Sequence, residues 1–148
     1  DATFNMFETD RQLVALQTTV TSLAGLPEVK TLIYMGSGLR LNGADNMAQL
    51  AWMADAHCLL VDGTFWEEDE MRGAGLSTKS AAEMGHLPQS GGPTRPGMVD
   101  VMSTLGADRK VLIHINNSNP ILDEDSAPRR TLAALGIEVA HDGMEISL

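Results

Sequence analysis

The segment Val111–Pro120 reads VLIHINNSNP and joins an apolar run to a polar loop. Its β-branched and aliphatic residues predict a buried strand at Val111–Ile115, which the following Asn, Ser and Pro residues end. His114 lies near the end of this run, where a neutral imidazole must form a hydrogen bond or bind a metal to offset its lost hydration. The segment therefore predicts a strand that delivers a histidine to a loop-lined site, or else a core histidine bonded to a backbone carbonyl.

A second apolar run, His57–Val61, ends in a similar way, at Asp62-Gly63-Thr64. The carboxyl ends of parallel strands meet at one edge of an α/β sheet, so Asp62 and His114 can face the same crevice. Cys58 lies inside this run and is expected to be a reduced core residue rather than a nucleophile.

The composition excludes several functional classes. The 148 residues include 20 acidic and 10 basic side chains, for a net charge of −10, whereas a nucleic-acid partner needs a clustered positive surface. No apolar run approaches the roughly 18 residues that a membrane-spanning helix needs. We expect one domain, residues 1–148, in a cytoplasmic protein without a nucleic-acid or membrane partner. A start without Met suggests a processed chain or a fragment.

The remaining pattern alternates between strands and helices, which predicts an α/β fold. Further strands are expected at Thr31–Met35 and Ile137–Ala140. Helices are expected at Glu8–Ala24, Asp45–Ala56 and Met98–Leu105, and from a Ser126 cap to Gly136, with Leu132 and Leu135 on the buried side of the last. The β-branched residues at Thr18–Thr21 leave a strand as the alternative within the first of these. Strand, helix and strand within about thirty residues favour right-handed parallel pairing.

A third candidate site residue lies in the segment richest in glycine and proline, Gly73–Gly97. His86 is near its centre, and long irregular segments inside compact domains are often functional. The acidic run Glu67–Glu70 before it reads as a solvated helical turn, or, with Phe65 and Trp66, as one wall of a pocket or lid. The spacing of the candidate residues is by itself a weak signal for metal.

Several motifs together resemble the C-terminal half of the coenzyme PQQ (pyrroloquinoline quinone) biosynthesis protein B family. They are DGTFW at 62–66, MGHLP at 84–88, the string HINNSNPILDEDS at 114–126, and DGME at 142–145. The match is dense from about Leu60 to the end and loose before residue 56. This family is similar to the metallo-β-lactamase superfamily, so the resemblance implies half of an αββα sandwich.

The resemblance also implies a metal site. It places Asp62 and His114 as metal ligands and His86 as a further ligand or a proton shuttle. The implied cofactor is a divalent metal, iron foremost, with zinc or manganese as alternatives. The implied reaction is oxidation (hydroxylation) of the tyrosine-derived ring of a cross-linked Glu-Tyr precursor, although a carrier that transports PQQ or its precursor would need the pocket without a redox-active metal.

The chain departs from the family in its first half. It lacks the Asp- and His-rich first metal cluster and the cysteine pattern for a structural zinc that the family carries there. We therefore expect either a fragment or a lineage that has lost part of the site. A half-sandwich leaves a sheet face uncovered, so the missing N-terminal half or self-association is the expected partner, and the chain alone is expected to be a poor enzyme or inactive.

Overall fold

The computed structural model describes residues 31–34, 56–92 and 96–147, together with Thr18 and Ser22. Four parallel strands form one sheet in the order β1-β2-β3-β4. They are β1 (Thr31–Tyr34), β2 (Cys58–Asp62), β3 (Arg109–Ile113) and β4 (Ile137–Val139). The predicted α/β class and the parallel pairing of the first two strands are confirmed.

Three helices connect the strands within the described residues: α1 (Glu70–Gly73), α2 (Met98–Thr104) and α3 (Ala127–Ala134). Short 3₁₀ turns lie at Ala82–Met84 and Pro120–Leu122. Helix α3 begins as predicted, because the Ser126 side chain accepts a hydrogen bond from the Arg129 backbone N–H and Pro128 lies in the first turn. None of the helices among these residues is long and apolar enough to cross a membrane.

The hydrophobic core lies on one face of the sheet. Val61, Leu112 and Val139 lie side by side in the register of β2, β3 and β4, and all three are buried. Met98, Val99, Val101 and Met102 of α2 and Leu132 of α3 belong to the same cluster. Cys58 lies in β2 and is fully buried, and burial raises the pKa of its thiol, which keeps the sulfur protonated as expected for a core cysteine.

Several predicted boundaries are wrong by one or two residues. Strand β3 covers Arg109–Ile113 rather than Val111–Ile115, because His114 has a φ of 55°, a left-handed conformation that cannot continue a strand. Strand β2 extends to Asp62, and β4 ends at Val139. Leu135 is 42% exposed rather than buried, because α3 ends at Ala134 and Leu135 no longer follows the helical stripe.

Some expectations lie largely outside the described residues. The predicted helix Glu8–Ala24 is represented only by Thr18 and Ser22, which are both helical. The predicted helix Asp45–Ala56 lies outside them except for Ala56, and Met35 lies outside them as well.

An ion pair joins β3 to β4 and predicts a pH dependence. Arg109 donates from Nε and Nη2 to the two Glu138 carboxylate oxygens, at 2.8 and 2.7 Å. These bonds hold the pKa of Glu138 below its usual range. The stabilisation is therefore complete above the unfolded pKa of about 4.3 and is lost as the pH falls through the lower folded pKa. Because the Glu138 side chain is 38% exposed, we expect a contribution of less than about 1 kcal/mol.

Urea unfolding of the wild type and Glu138→Gln between about pH 6 and pH 3 checks this expectation. The variant should be less stable near neutrality, and the difference should shrink on acidification. Glu145→Gln is the matched control, because Glu145 is exposed and has no ion pair within the described part of the chain. A difference between wild type and Glu138→Gln that stays constant over this pH range would contradict the assignment.

Candidate metal centre

Asp62, His86 and His114 come together at the carboxyl edge of the sheet. His86 Nδ1 lies 2.8 Å from Asp62 Oδ2, and His114 Nδ1 lies 2.9 Å from Asp62 Oδ1. The two imidazole rings are tilted to each other with centroids 5.5 Å apart. The two strand-end residues therefore share one site, and His86 from the Gly/Pro-rich segment belongs to it.

Asp62 is held in place by the end of β2. It is the last residue of that strand and is only 4% exposed. Thr64 Oγ1 donates to its Oδ1 at 2.6 Å, within the range of a charge-assisted bond to a carboxylate. A carboxylate this deeply buried needs partners to offset its lost hydration, and the hydroxyl and the two rings surround it.

His114 reaches the site through an unusual backbone conformation. It directly follows β3, and its positive φ turns the chain out of the strand. Its side chain is 55% exposed, so one side of the site is open to solvent. The opening gives a small molecule a route to the ring.

His86 follows a 3₁₀ turn that closes at Gly85, a glycine with a φ of 90°. Its backbone N–H donates to Ala81 O at 2.9 Å. Phe65 is buried and packs edge-on against the His86 ring, with centroids 5.5 Å apart. The acidic run itself is a turn in which Glu67 and Asp69 are exposed and Glu70 begins the short helix α1, as expected for a solvated helical turn. Its alternative role as one wall of a pocket or lid stays a prediction.

Two buried amide side chains fix the turn after β2, and we did not predict them from the sequence. Gln89 is fully buried and donates from Nε2 to Asp62 O at 2.7 Å. Asn119 donates from Nδ2 to Gly63 O at 2.8 Å and to Thr64 O at 3.3 Å. Three successive carbonyls, at residues 62, 63 and 64, thus accept hydrogen bonds from side-chain amides. The only signal in the sequence was position: Gln89 lies three residues after His86, and Asn119 lies in the loop that follows His114.

Gly63 allows β2 and β3 to approach closely at the site. Its N–H donates to Ile113 O at 2.7 Å, and a Cβ at this position would lie 2.9 Å from the Leu112 Cβ. The strand ends that carry Asp62 and His114 are therefore held at a distance that only glycine permits without a shift.

The donor set suits a divalent metal. One carboxylate oxygen and one nitrogen from each of the two rings all lie within 4.8 Å of one another. Imidazole and carboxylate ligands bind iron, zinc and manganese, and three protein ligands with an open position are typical of catalytic sites. The three residues identified from the sequence thus fit such an ion, whereas the choice among these metals stays a prediction.

Comparisons with known proteins identify the superfamily of this chain. A family model described as "Beta-lactamase superfamily domain" matches residues 17–115, a span that includes all three site residues. The chain belongs to the beta-lactamase superfamily. Its fold is metallo-β-lactamase-like, as expected from the resemblance.

Within this superfamily the chain is similar to proteins named coenzyme PQQ synthesis protein B. It is 64% identical to that of Methylococcus capsulatus over 98 residues, which cover 66% of this chain and 31% of the relative. The Nitrosococcus oceani protein is 60% identical over 99 residues, covering 67% and 31%. A crystal structure titled as Zn(2+)-bound PqqB from Methylobacterium extorquens aligns with a TM-score of 0.66 at 37% identity, covering 80% of this chain and 37% of that one. The chain thus matches about a third of the length of its relatives.

Proposed function

We propose that this chain supplies one part of the metal centre of a protein that acts in PQQ biosynthesis. The observation that carries the proposal is the convergence of Asp62, His86 and His114 on one point. The similarity to proteins named for PQQ synthesis is the basis for the proposed pathway. A similar protein crystallised with Zn²⁺ is the basis for proposing a divalent metal ion.

The proposed reaction is the oxidation (hydroxylation) of the tyrosine-derived ring of a cross-linked Glu-Tyr precursor. When bound, a redox-active divalent metal such as iron would supply the electron chemistry that oxidation by dioxygen requires. Asp62 provides a buried anionic ligand, and His114 provides a ligand on the open side of the site. His86 is a third ligand, or it is a proton shuttle whose ring the Asp62 carboxylate orients through their 2.8 Å contact.

The proposal includes a partner, namely an N-terminal half that adds ligands and covers the sheet. Asp62, His86 and His114 together reach only the minimum of three protein ligands for a catalytic site, and two remain if His86 is a proton shuttle. We therefore expect the 148-residue chain to bind metal loosely and to oxidise the precursor poorly. An N-terminal half that brings further carboxylate and imidazole ligands should strengthen metal binding and give turnover together.

The test compares the chain alone with the chain joined to the N-terminal half of the Methylococcus capsulatus relative. Metal content and oxygen consumption with the cross-linked precursor are measured for both. Turnover only in the joined protein supports the proposal, whereas full metal occupancy and oxidation by the chain alone would contradict the shared site. Tight binding of PQQ or the precursor, without oxygen consumption in either form, would instead support the carrier function.

A further inference from the structure

Thr64 contacts both of the strand-end residues of the proposed metal centre. It is only 6% exposed, and its hydroxyl oxygen lies 2.6 Å from Asp62 Oδ1, 3.0 Å from His114 Nδ1 and 3.1 Å from His114 O. These three atoms belong to two segments that are about fifty residues apart in sequence. Thr64 thus adds a second link between the two segments, beside the direct contact of Asp62 Oδ1 with His114 Nδ1 at 2.9 Å.

The hydroxyl has a single proton, and the distances indicate where it lies. Bonds from a hydroxyl to a carboxylate are typically about 2.5–2.7 Å long, so the 2.6 Å contact identifies Asp62 Oδ1 as the acceptor. The lone pairs of Thr64 Oγ1 then face His114 Nδ1. The hydroxyl thus fixes the orientation of the carboxylate and, from its other side, the position of the ring.

The backbone of Thr64 adds a further restraint next to His114. Thr64 O accepts from Asn116 N at 3.1 Å, so Thr64 is bonded both to His114 and to the residue two positions later. His114 has a φ of 55°, a conformation that is uncommon for residues other than glycine and persists only where the surroundings enforce it. Thr64 is part of those surroundings.

We infer that Thr64 is a positioning residue for the metal centre, which presets Asp62 and His114 through its hydroxyl group. This inference rests on the proposed function, because it requires that the two residues bind metal. Groups that orient metal ligands typically contribute about 10–100-fold to metal affinity. Loss of the Thr64 hydroxyl should therefore weaken metal binding by about that factor while the fold persists.

The experiment measures Zn²⁺ and Co²⁺ binding to the 148-residue chain by competition with a chelator of matched affinity. Thr64→Val removes the hydroxyl at nearly constant shape, and Thr64→Ser keeps it. Thr104→Val is the matched control, because the Thr104 hydroxyl bonds to Val101 O on α2 and to none of the three site residues. Circular dichroism and thermal unfolding establish that each variant is folded, and Thr64→Ala replaces Thr64→Val if valine prevents folding.

We expect Thr64→Val to bind both metals about 10–100-fold more weakly, Thr64→Ser to bind within a few-fold of wild type, and Thr104→Val to match wild type. Wild-type affinity in folded Thr64→Val, or equal loss in Thr64→Ser, would overturn this role of the hydroxyl. Asp62→Ala separates the two proposals. If Asp62→Ala leaves metal affinity unchanged, Asp62 is not a ligand, and both the metal centre and the role of Thr64 are refuted. If Asp62→Ala lowers metal affinity and Thr64→Val does not, only the role of Thr64 is refuted.

Discussion

Replacing Asp62 by alanine is expected to lower metal affinity by more than about 100-fold. A ligand contributes more than a residue that only orients a ligand, for which about 10–100-fold is typical. Asp62 is also the one anionic donor of the cluster, and it contacts both His86 and His114. Its removal therefore takes away the charge that balances the metal and the group that holds the two rings together.

Metal content after dialysis checks this result in the protein joined to an N-terminal half, and titration with Zn²⁺ checks it in the chain alone. Asp108→Ala is the matched control, because Asp108 is exposed and has no ion pair among the residues that the structure describes. His114→Ala should lose metal in the same way, whereas His86→Ala should retain part of it if His86 moves protons instead of binding the ion. Undiminished metal content in a folded Asp62→Ala variant would show that the ligands lie elsewhere.

The sequence was sufficient to predict the strands of the sheet because each strand contains β-branched or aliphatic residues within a short segment. Leu59 and Val61 in β2, and Val111 and Leu112 in β3, are buried, and runs of this kind are typical of parallel sheets with both faces covered. The start of β3 was missed because Arg109 and Lys110 are charged. Arg109 is nevertheless compatible with a strand, since Glu138 of β4 pairs with its guanidinium group.

The convergence of Asp62 and His114 could also be anticipated, since it follows from parallel strands whose ends share an edge. Local signals did not reveal how the site is held. Gln89 and Asn119 act through backbone carbonyls at residues 62 to 64, which are distant in sequence, and such bonds leave no periodic pattern. The positive φ of His114 was hidden for the same reason, because its enforcing contacts come from Thr64, on another strand end.

Replacing Gly97 by alanine is expected to destabilise the protein by about 3 kcal/mol, the upper end for overpacking. Gly97 precedes α2, and a Cβ at this position would lie 2.5 Å from Gly91 N and closer still to Gln89 O. These are backbone atoms, which cannot turn aside as a flexible side chain does. The Gln89 carbonyl also accepts a hydrogen bond from Val99 N in the first turn of α2, so a shift here separates the helix from the segment that holds Asp62.

Thermal unfolding should therefore show a melting temperature lowered by about 6–12 °C in Gly97→Ala, given about 2–4 °C per kcal/mol for a chain of this size. Gly92→Ala is the matched control from the same loop, because a Cβ at Gly92 meets no atom within 4 Å, and its stability should stay within about 0.5 kcal/mol of wild type. Metal affinity should also fall in Gly97→Ala, because displacement of Gln89 loosens its bond to Asp62 O. Equal melting temperatures for the two alanine variants would contradict the close approach of residues 89–91 to Gly97. A lowered melting temperature of Gly97→Ala with unchanged metal affinity would show that Gln89 does not transmit the displacement to Asp62.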